Sequence, residues 1–268
     1  MREGCIERIT VFLTSTTGIT FDRKKEMVDH KLKELMRKSD IGECEELYSR
    51  LIDKEALYYA LLEELLVSQS FFYREKSDID LLVRFLQKRS AISILSLPCA
   101  NGEEPYSIAI ELMERKIEDF DILAIDLNPK AIAKAKKGHY GARDLRNVPF
   151  SILAKYFDEE EEGYRVKENV KKKVEFVCAN LFEQSQAPFS FDAIFCKNLF
   201  IYMDDSHKME ALDIFHRWLK DDGLLFLSFS DYFKAHPCFD RISKECRSIY
   251  KKVECDEKSR LYTEWGDG

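Results

Sequence analysis

The 268-residue chain has no apolar run near the ~20 residues needed to span a bilayer, so no transmembrane helix is expected. It has no excess of positive charge: 42 basic against 49 acidic side chains leave a formal net charge of −7. That withholds the global basic footprint of a nucleic-acid binder. It lacks any CxxC pair, and its eight cysteines (5, 44, 99, 178, 196, 238, 246 and 255) and five histidines form no cluster with zinc-ligand spacing. Reduced, buried thiols in a cytoplasmic protein, with no metal, are therefore expected. The stretch MREGCIERITVFL carries charges within its only apolar run and no small-residue cleavage site, so no signal peptide is expected. Internal repeats and low-complexity tracts are absent. What remains, 45% hydrophobic and 34% charged, is the composition of a folded chain of one large or two smaller domains.

Residues 1–66 read as a small all-helical domain. Val28, Leu32, Leu35 and Met36 form one apolar helical stripe, and Lys24, Lys31 and Lys38 recur every seven residues on another face. Residues 67–90 read as a linker with a connecting helix over 78–89. From residue 91 to 268 the period changes. Strand-length apolar runs at 92–97, 120–126, 174–178, 191–196 and 224–229 alternate with helical patterns at 103–116, 129–137 and 206–219, the last ending near Asp222-Gly223. Such alternation implies a mostly parallel sheet covered on both faces. Residues 138–173 interrupt the rhythm and read as an insertion with a helix and a short hairpin, its acidic run Asp158–Glu162 at a solvated tip.

In open α/β sheets ligands bind beyond the carboxyl ends of the strands. The first strand runs into Leu97-Pro98-Cys99-Ala100-Asn101-Gly102, and Glu103 and Glu104 open the next helix. The loop has one glycine, with neither GxGxxG nor GxxxxGK[ST]. Two carboxylates at the positive end of a helix repel a phosphate, so dinucleotides and nucleoside triphosphates are disfavoured. Asp126, closing the second strand, suits both hydroxyls of a ribose, or else caps the helix that begins at Pro129. A nucleoside with a positive centre and no phosphate describes S-adenosylmethionine. Asn180 and Asn198, each following a later strand, suit the adenine edge and the amino-acid end of that cofactor, or are turn residues. Glu103 and Glu104 alternatively do no more than complement the helix dipole.

Three stretches in this order, SQSFFYRE (68–75), NGEEPYSIA (101–109) and FDAIFCKNLFIYMD (191–204), resemble the chemotaxis receptor methyltransferases of CheR type, over residues 20–233. The resemblance implies an α/β fold: a Rossmann-like S-adenosylmethionine-dependent methyltransferase domain, preceded by a small helical domain and carrying a small inserted β-subdomain. It implies methyl transfer to glutamate carboxylates of methyl-accepting receptors. It assigns cofactor contacts to Ser68, Ser70, Arg74, Glu104 and Asp126, and to Asn180, Leu181, Asn198 and Leu199. It places Tyr202 facing the methyl group and makes Arg74 and Tyr202 the catalytic pair. The chain departs from the family in Ser70 for threonine, Tyr73 for phenylalanine, and the Pro98–Asn101 loop. The loop FDEEEEGY (157–164) is shorter than in members tethered by a receptor's C-terminal peptide, so no tethering is expected. The Lys24, Lys31, Lys38 stripe matches a helix that the family turns toward acidic receptor surfaces, or is a solvated face.

A glutamate acceptor is ionised near neutral pH, since it titrates near ~4.3, so no strong general base is required. The sequence offers no His/Asp or Ser/His constellation to serve as one. Alignment and desolvation are left to supply the rate, with Arg74 gripping the carboxylate in two parallel hydrogen bonds and Tyr202 bonding the incoming oxygen. Rival readings are an RNA or small-molecule methyltransferase and a cofactor-binding adaptor without turnover. A monomer is expected.

Overall fold

The computed structural model describes residues 3–21, 25–54, 56–66, 68–184, 186–243 and 248–255. Four helices open the chain: α1 (Glu3–Thr17), α2 (Lys25–Lys38), α3 (Cys44–Ile52) and α4 (Ala56–Leu65). The apolar stripe of α2 does what its spacing dictates. Val28 and Leu32 are buried with Leu13, Leu47 and Leu61 in a core of their own, and Leu35 and Met36 pack at its border. The basic stripe is less free than its spacing implies. Lys31 bonds Glu64 at 2.6 Å and Lys38 bonds Glu34 at 2.9 Å, while Lys24 lies outside the described residues.

After α5 (Lys76–Leu86), the strands β1 (Ile92–Ser96) and β2 (Phe120–Asp126) enclose α6 (Glu103–Glu114), and α7 (Pro129–Lys137) follows. The insertion holds β3 (His139–Tyr140), α8 (Phe150–Tyr156), β4 (Phe157–Glu160), β5 (Gly163–Val166) and α9 (Glu168–Lys171). Then come β6 (Val174–Cys178), β7 (Phe191–Cys196), α10 (Asp205–Trp218), β8 (Leu219–Leu227), β9 (Phe239–Arg241) and β10 (Ile249–Lys252). The seven-stranded sheet has the order β6-β2-β1-β7-β8-β10-β9; the first five strands are parallel and the last two antiparallel. All six residues of β7 are buried, as expected for a central strand covered on both faces. Ile94, Ile108 and Phe195 pack on one face, and Leu95, Ile194, Phe215 and Trp218 on the other.

Three expectations change. The insertion is a three-stranded sheet, β3-β5-β4, not a lone hairpin; β3 is two residues long and has too little alternation to be read. Helix α10 stops at Trp218, because Leu219 is already extended and β8 begins without a loop. The antiparallel pair β9 and β10 was not expected. The cysteines also differ from the reading of eight reduced thiols. Cys5 pairs with Cys44 and Cys238 with Cys255, Cys99 and Cys196 are buried thiols, and Cys178 is exposed at the end of edge strand β6. Cys246 lies outside the described residues. No helix among the described residues is long and apolar enough to cross a membrane.

At the amino end of the parallel strands, Asp192 accepts from the Ser93 N–H at 2.9 Å, Arg89 at 2.9 Å and Lys220 at 2.7 Å. Burial opposes ionisation of Asp192, but Lys220, the Ser93 N–H and Arg89 hold its carboxyl below the usual range. That end of the sheet is closed by charge; the opposite end is left open for a ligand.

The turn from β1 into α6 is tight. Gly102 has φ +93°, and a Cβ there would meet Ala135 Cβ at 2.9 Å, the Tyr140 hydroxyl at 2.9 Å and Phe176 Cζ at 3.1 Å. Gly102→Ala should lower stability in urea denaturation by about 1–3 kcal/mol, through strain and overpacking. Gly141→Ala, with no atom within 4 Å of the added methyl, should stay near the unmodified chain.

Candidate cofactor and acceptor site

A cavity of about 830 Å³ opens at the carboxyl ends of β1, β2 and β7. Its walls include Ser68, Ser70, Arg74, Glu104, Asp126 and Asn180, together with Leu181, Asn198, Leu199 and Tyr202. Every residue that the resemblance assigns to the site therefore meets in one place, at the size of a cofactor pocket.

The β1 loop is held from three sides. The Cys99 N–H donates to the Ile125 carbonyl at 2.9 Å and the Ala100 N–H to Asp126 Oδ2 at 2.8 Å. Asn101, where the family loop differs, donates through Nδ2 to the Ser68 carbonyl at 2.8 Å, and the Tyr140 hydroxyl donates to the Asn101 carbonyl at 2.5 Å. Asp126 Oδ1 accepts from the Asn128 N–H at 2.8 Å. The Asp126 carboxylate thus faces the backbone N–H groups of Ala100, Asn128 and Leu127, and its two oxygens retain acceptor capacity for a ligand hydroxyl. Burial pushes the Asp126 carboxyl up to about 6, against the pull of those backbone donors.

The two carboxylates of α6 part company. Glu104 reaches the cavity and accepts from Ser96 Oγ at 2.8 Å. Burial pushes its carboxyl up; Lys197 and the Ser96 hydroxyl draw it back. Glu103 is fully buried away from the cavity, with one oxygen lacking a hydrogen-bond partner, and burial pushes its carboxyl up too. Of the two helix-opening carboxylates expected to repel a phosphate, only Glu104 lines the cavity.

Arg74 follows the buried rings of Phe72 and Tyr73, which anchor its segment in the core. It sits between two residues with left-handed backbone, Tyr73 (φ +57°) and Glu75 (φ +53°). Strain of this kind persists only where surroundings over-determine it. Here the Tyr73 N–H donates to Ser107 Oγ at 3.0 Å, the Phe72 N–H donates to the Asp144 carbonyl at 3.0 Å, and Glu75 is tied to Lys197 at 2.8 Å. Among the described residues Arg74 has no carboxylate partner; its guanidinium lies 5.9 Å from the Phe71 ring.

Four residues that bear on the site were not singled out from the sequence. Lys197, its side chain 7% exposed, donates to Glu75 at 2.8 Å and Asp78 at 2.5 Å and faces Glu104. Burial alone would lower its pKa, yet Glu104, Asp78 and Glu75 raise it. Asp231 accepts from the N–H groups of Asn198 (2.6 Å), Ser228 (3.1 Å) and Ile201 (3.3 Å), fixing the loop after β7. Arg143 and Arg146, from the inserted segment, line the cavity, with the Arg146 guanidinium 3.5 Å over the Phe71 ring. A buried lysine among acids is visible only once α5 and β7 are side by side; the Arg-Asp-Leu-Arg run was a signal available in the sequence.

The helical region closes the cavity. The Thr20 N–H and hydroxyl donate to the Tyr202 carbonyl at 2.7 and 2.9 Å, and Ile19 bridges Met203. Asn180 is committed by its side chain: Nδ2 donates to the Thr16 carbonyl at 2.6 Å and to Glu183 at 3.0 Å, and Oδ1 accepts from the Phe182 N–H at 3.1 Å. Both Nδ2 protons therefore brace the wall, and only Oδ1, which accepts one bond, has capacity left for a ligand donor. The Asn198 Nδ2 is likewise engaged within the fold, donating to Ser228 at 3.0 Å and Ser230 at 3.2 Å, while the residue lines the cavity.

Residues 68–247 match the family model described as the CheR methyltransferase SAM binding domain. The chain belongs to the CheR methyltransferase family. It is 31% identical to chemotaxis protein methyltransferase 2 of Vibrio cholerae, over 94% of this chain and 95% of that protein. It is 31% identical to the chemotaxis protein methyltransferase of Escherichia coli, over 87% of this chain and 86% of that one. It is also 31% identical to the probable biofilm formation methyltransferase WspC of Pseudomonas aeruginosa, over 75% of this chain, which spans half the length of that relative. The CheR cofactor, S-adenosylmethionine, fits the donor set: a carboxylate with acceptor capacity in Asp126 and a second acid in Glu104, both lining the cavity.

Two outcomes follow from the charges. Lys197→Met leaves three acidic side chains without their shared cation and should cost about 3–5 kcal/mol in urea denaturation, whereas Lys38→Met, which loses a surface pair, should cost under about 1 kcal/mol. Asp126 is ionised above about 6 and protonated below it. Affinity for adenosylhomocysteine should therefore weaken as pH falls through that value, approaching tenfold per pH unit, in calorimetric titrations. Asp126→Asn should bind more weakly and without this pH dependence.

Proposed function

We propose that this CheR-family methyltransferase acts in the cytoplasm, as a monomer, on the glutamate side chains of methyl-accepting chemotaxis receptors, forming methyl esters. The observation that carries this reading is Arg74, a guanidinium without a carboxylate partner among the described residues, in the same cavity as the acids Glu104 and Asp126.

When bound, S-adenosylmethionine supplies an electrophilic methyl group on a positively charged sulfur. The residues of the chain have to deliver and orient a carboxylate. Arg74 presents two parallel donors to it, and Tyr202 offers a hydroxyl to the oxygen that attacks. The acceptor arrives ionised, so no residue has to remove a proton. Holding two reactants in line removes most of the entropic barrier, which is the part of the work left to a site without a general base. Arg143 and Arg146 add positive charge at the entrance, so an acidic peptide surface is favoured there despite the net charge of −7.

The mouth also carries exposed apolar rings. Tyr202 and Ile201 stand beside the loop of Phe229 and Tyr232, which are 76% and 67% exposed. A helical receptor surface with glutamates between apolar positions matches this mixture of cations and rings. The β4–β5 turn is short, Glu161-Glu162, and supports docking without a C-terminal peptide tether. An RNA acceptor is less well served, since the ring-bearing loop has no basic strip interleaved with it.

Incubation with tritiated cofactor and receptor-bearing membranes from the same cell should give label released as methanol by base, the signature of a methyl ester. Arg74→Ala should abolish incorporation with unchanged circular dichroism. Base-stable label, or near-normal turnover by the variant, would exclude the proposed acceptor or the proposed role.

A further inference from the structure

Outside the lining of the cavity, beside the outer strands β10 and β9, three metal-ligating side chains meet. His216 lies in the last turn of α10, Cys238 directly precedes β9, and Cys255 follows β10. One ligand atom from each lies within 4.8 Å of the others. Cys255 Sγ is 3.8 Å from His216 Nδ1 and 3.6 Å from Nε2. Cys238 is fully buried and Cys255 half-buried.

The imidazole is set up for a ligand role. His216 Nε2 lies 3.1 Å from the Val253 carbonyl. A carbonyl only accepts, so Nε2 is the donor there and Nδ1 is the nitrogen that would face an ion. Metal-bound histidines show this arrangement, one nitrogen on the ion and the other N–H on a backbone carbonyl. A disulfide has no use for it. A tetrahedral zinc ion with Zn–S ~2.3 Å and Zn–N ~2.0–2.1 Å separates sulfur from nitrogen by ~3.6 Å; Cys255 Sγ lies 3.8 Å from Nδ1, the nitrogen turned away from the carbonyl.

We propose that His216, Cys238 and Cys255 bind a zinc-class divalent cation when the two cysteines are reduced, with the Cys238–Cys255 disulfide of this structure as the metal-free alternative. Binding displaces one proton from each thiol and forms two metal–sulfur bonds and one metal–nitrogen bond, with water in the fourth position. In a reducing compartment thiols persist, and the ion then joins α10 to the short strands at the sheet edge. The sequence reading of no metal rested on spacing along the chain; His216 lies 22 residues before Cys238, which lies 17 before Cys255, and only the fold unites them.

The test uses the full chain purified with a phosphine reductant and no chelator. Metal analysis should find about one zinc per chain, and replacement by cobalt should give sulfur-to-cobalt charge-transfer and tetrahedral d–d bands. Cys255→Ser and His216→Ala should each weaken zinc binding at least about tenfold, while Cys178→Ser, at an exposed thiol in β6, leaves it unchanged. Cobalt uptake without the sulfur band, equal affinity in Cys255→Ser, or a disulfide that re-forms in the presence of equimolar zinc would each overturn the proposal. Should Cys238→Ser fail to fold, the cobalt spectrum of the unmodified reduced chain and the Cys255→Ser comparison still decide.

Discussion

The arrangement of the site depends on one buried ammonium. Lys197, at the carboxyl end of β7, holds Glu75 and Asp78 at the start of α5 and faces Glu104 at the start of α6. Three elements from distant parts of the chain are thereby drawn to one cation. A buried pair of this kind gives little net stability, because desolvating the charges offsets most of the attraction. It does fix geometry. Glu75 is one of two left-handed residues flanking Arg74, so the tie to Lys197 also sets the direction of that guanidinium.

A second set of contacts makes the helical region part of the cavity. Thr16, Ile19 and Thr20 reach Asn180, Met203 and Tyr202, the walls on the side opposite α6. The residue proposed to orient the incoming oxygen thus has its backbone held by Thr20, just after α1, rather than by the sheet alone. The sheet supplies the acids that suit a sulfonium nucleoside, the α5 turn supplies Arg74, and the helical region closes the far wall.

Charge is arranged locally against the global balance. The chain is acidic overall, yet Arg74, Arg143 and Arg146 gather at one opening, while the lysines of α2 that the sequence set aside for an acidic partner are engaged by Glu34 and Glu64. Net charge governs long-range behaviour; recognition of a single carboxylate depends on unpaired donors within a few ångströms.

The order of helices and parallel strands was legible in the sequence because buried strands are continuous apolar runs and amphipathic helices repeat every 3.6 residues. Most of the cavity was legible too, because strand ends in such a sheet converge whatever the loops contain, and the motifs at those ends are local in sequence. Short elements were not: β3, β9 and the start of β8 are too brief, or too mixed in polarity, to impose a period. Side-chain commitments were not legible either. That Glu103 turns inward while Glu104 lines the cavity, that an Asn180 amide proton goes to Thr16, that Lys197 serves three acids, and that His216 meets two cysteines all depend on neighbours distant in sequence. Sequence by itself determined which elements form and which strand ends meet. Tertiary structure alone decided which polar groups at those ends are left over for a ligand, because a hydrogen bond already made within the fold cannot be read from either partner's local pattern.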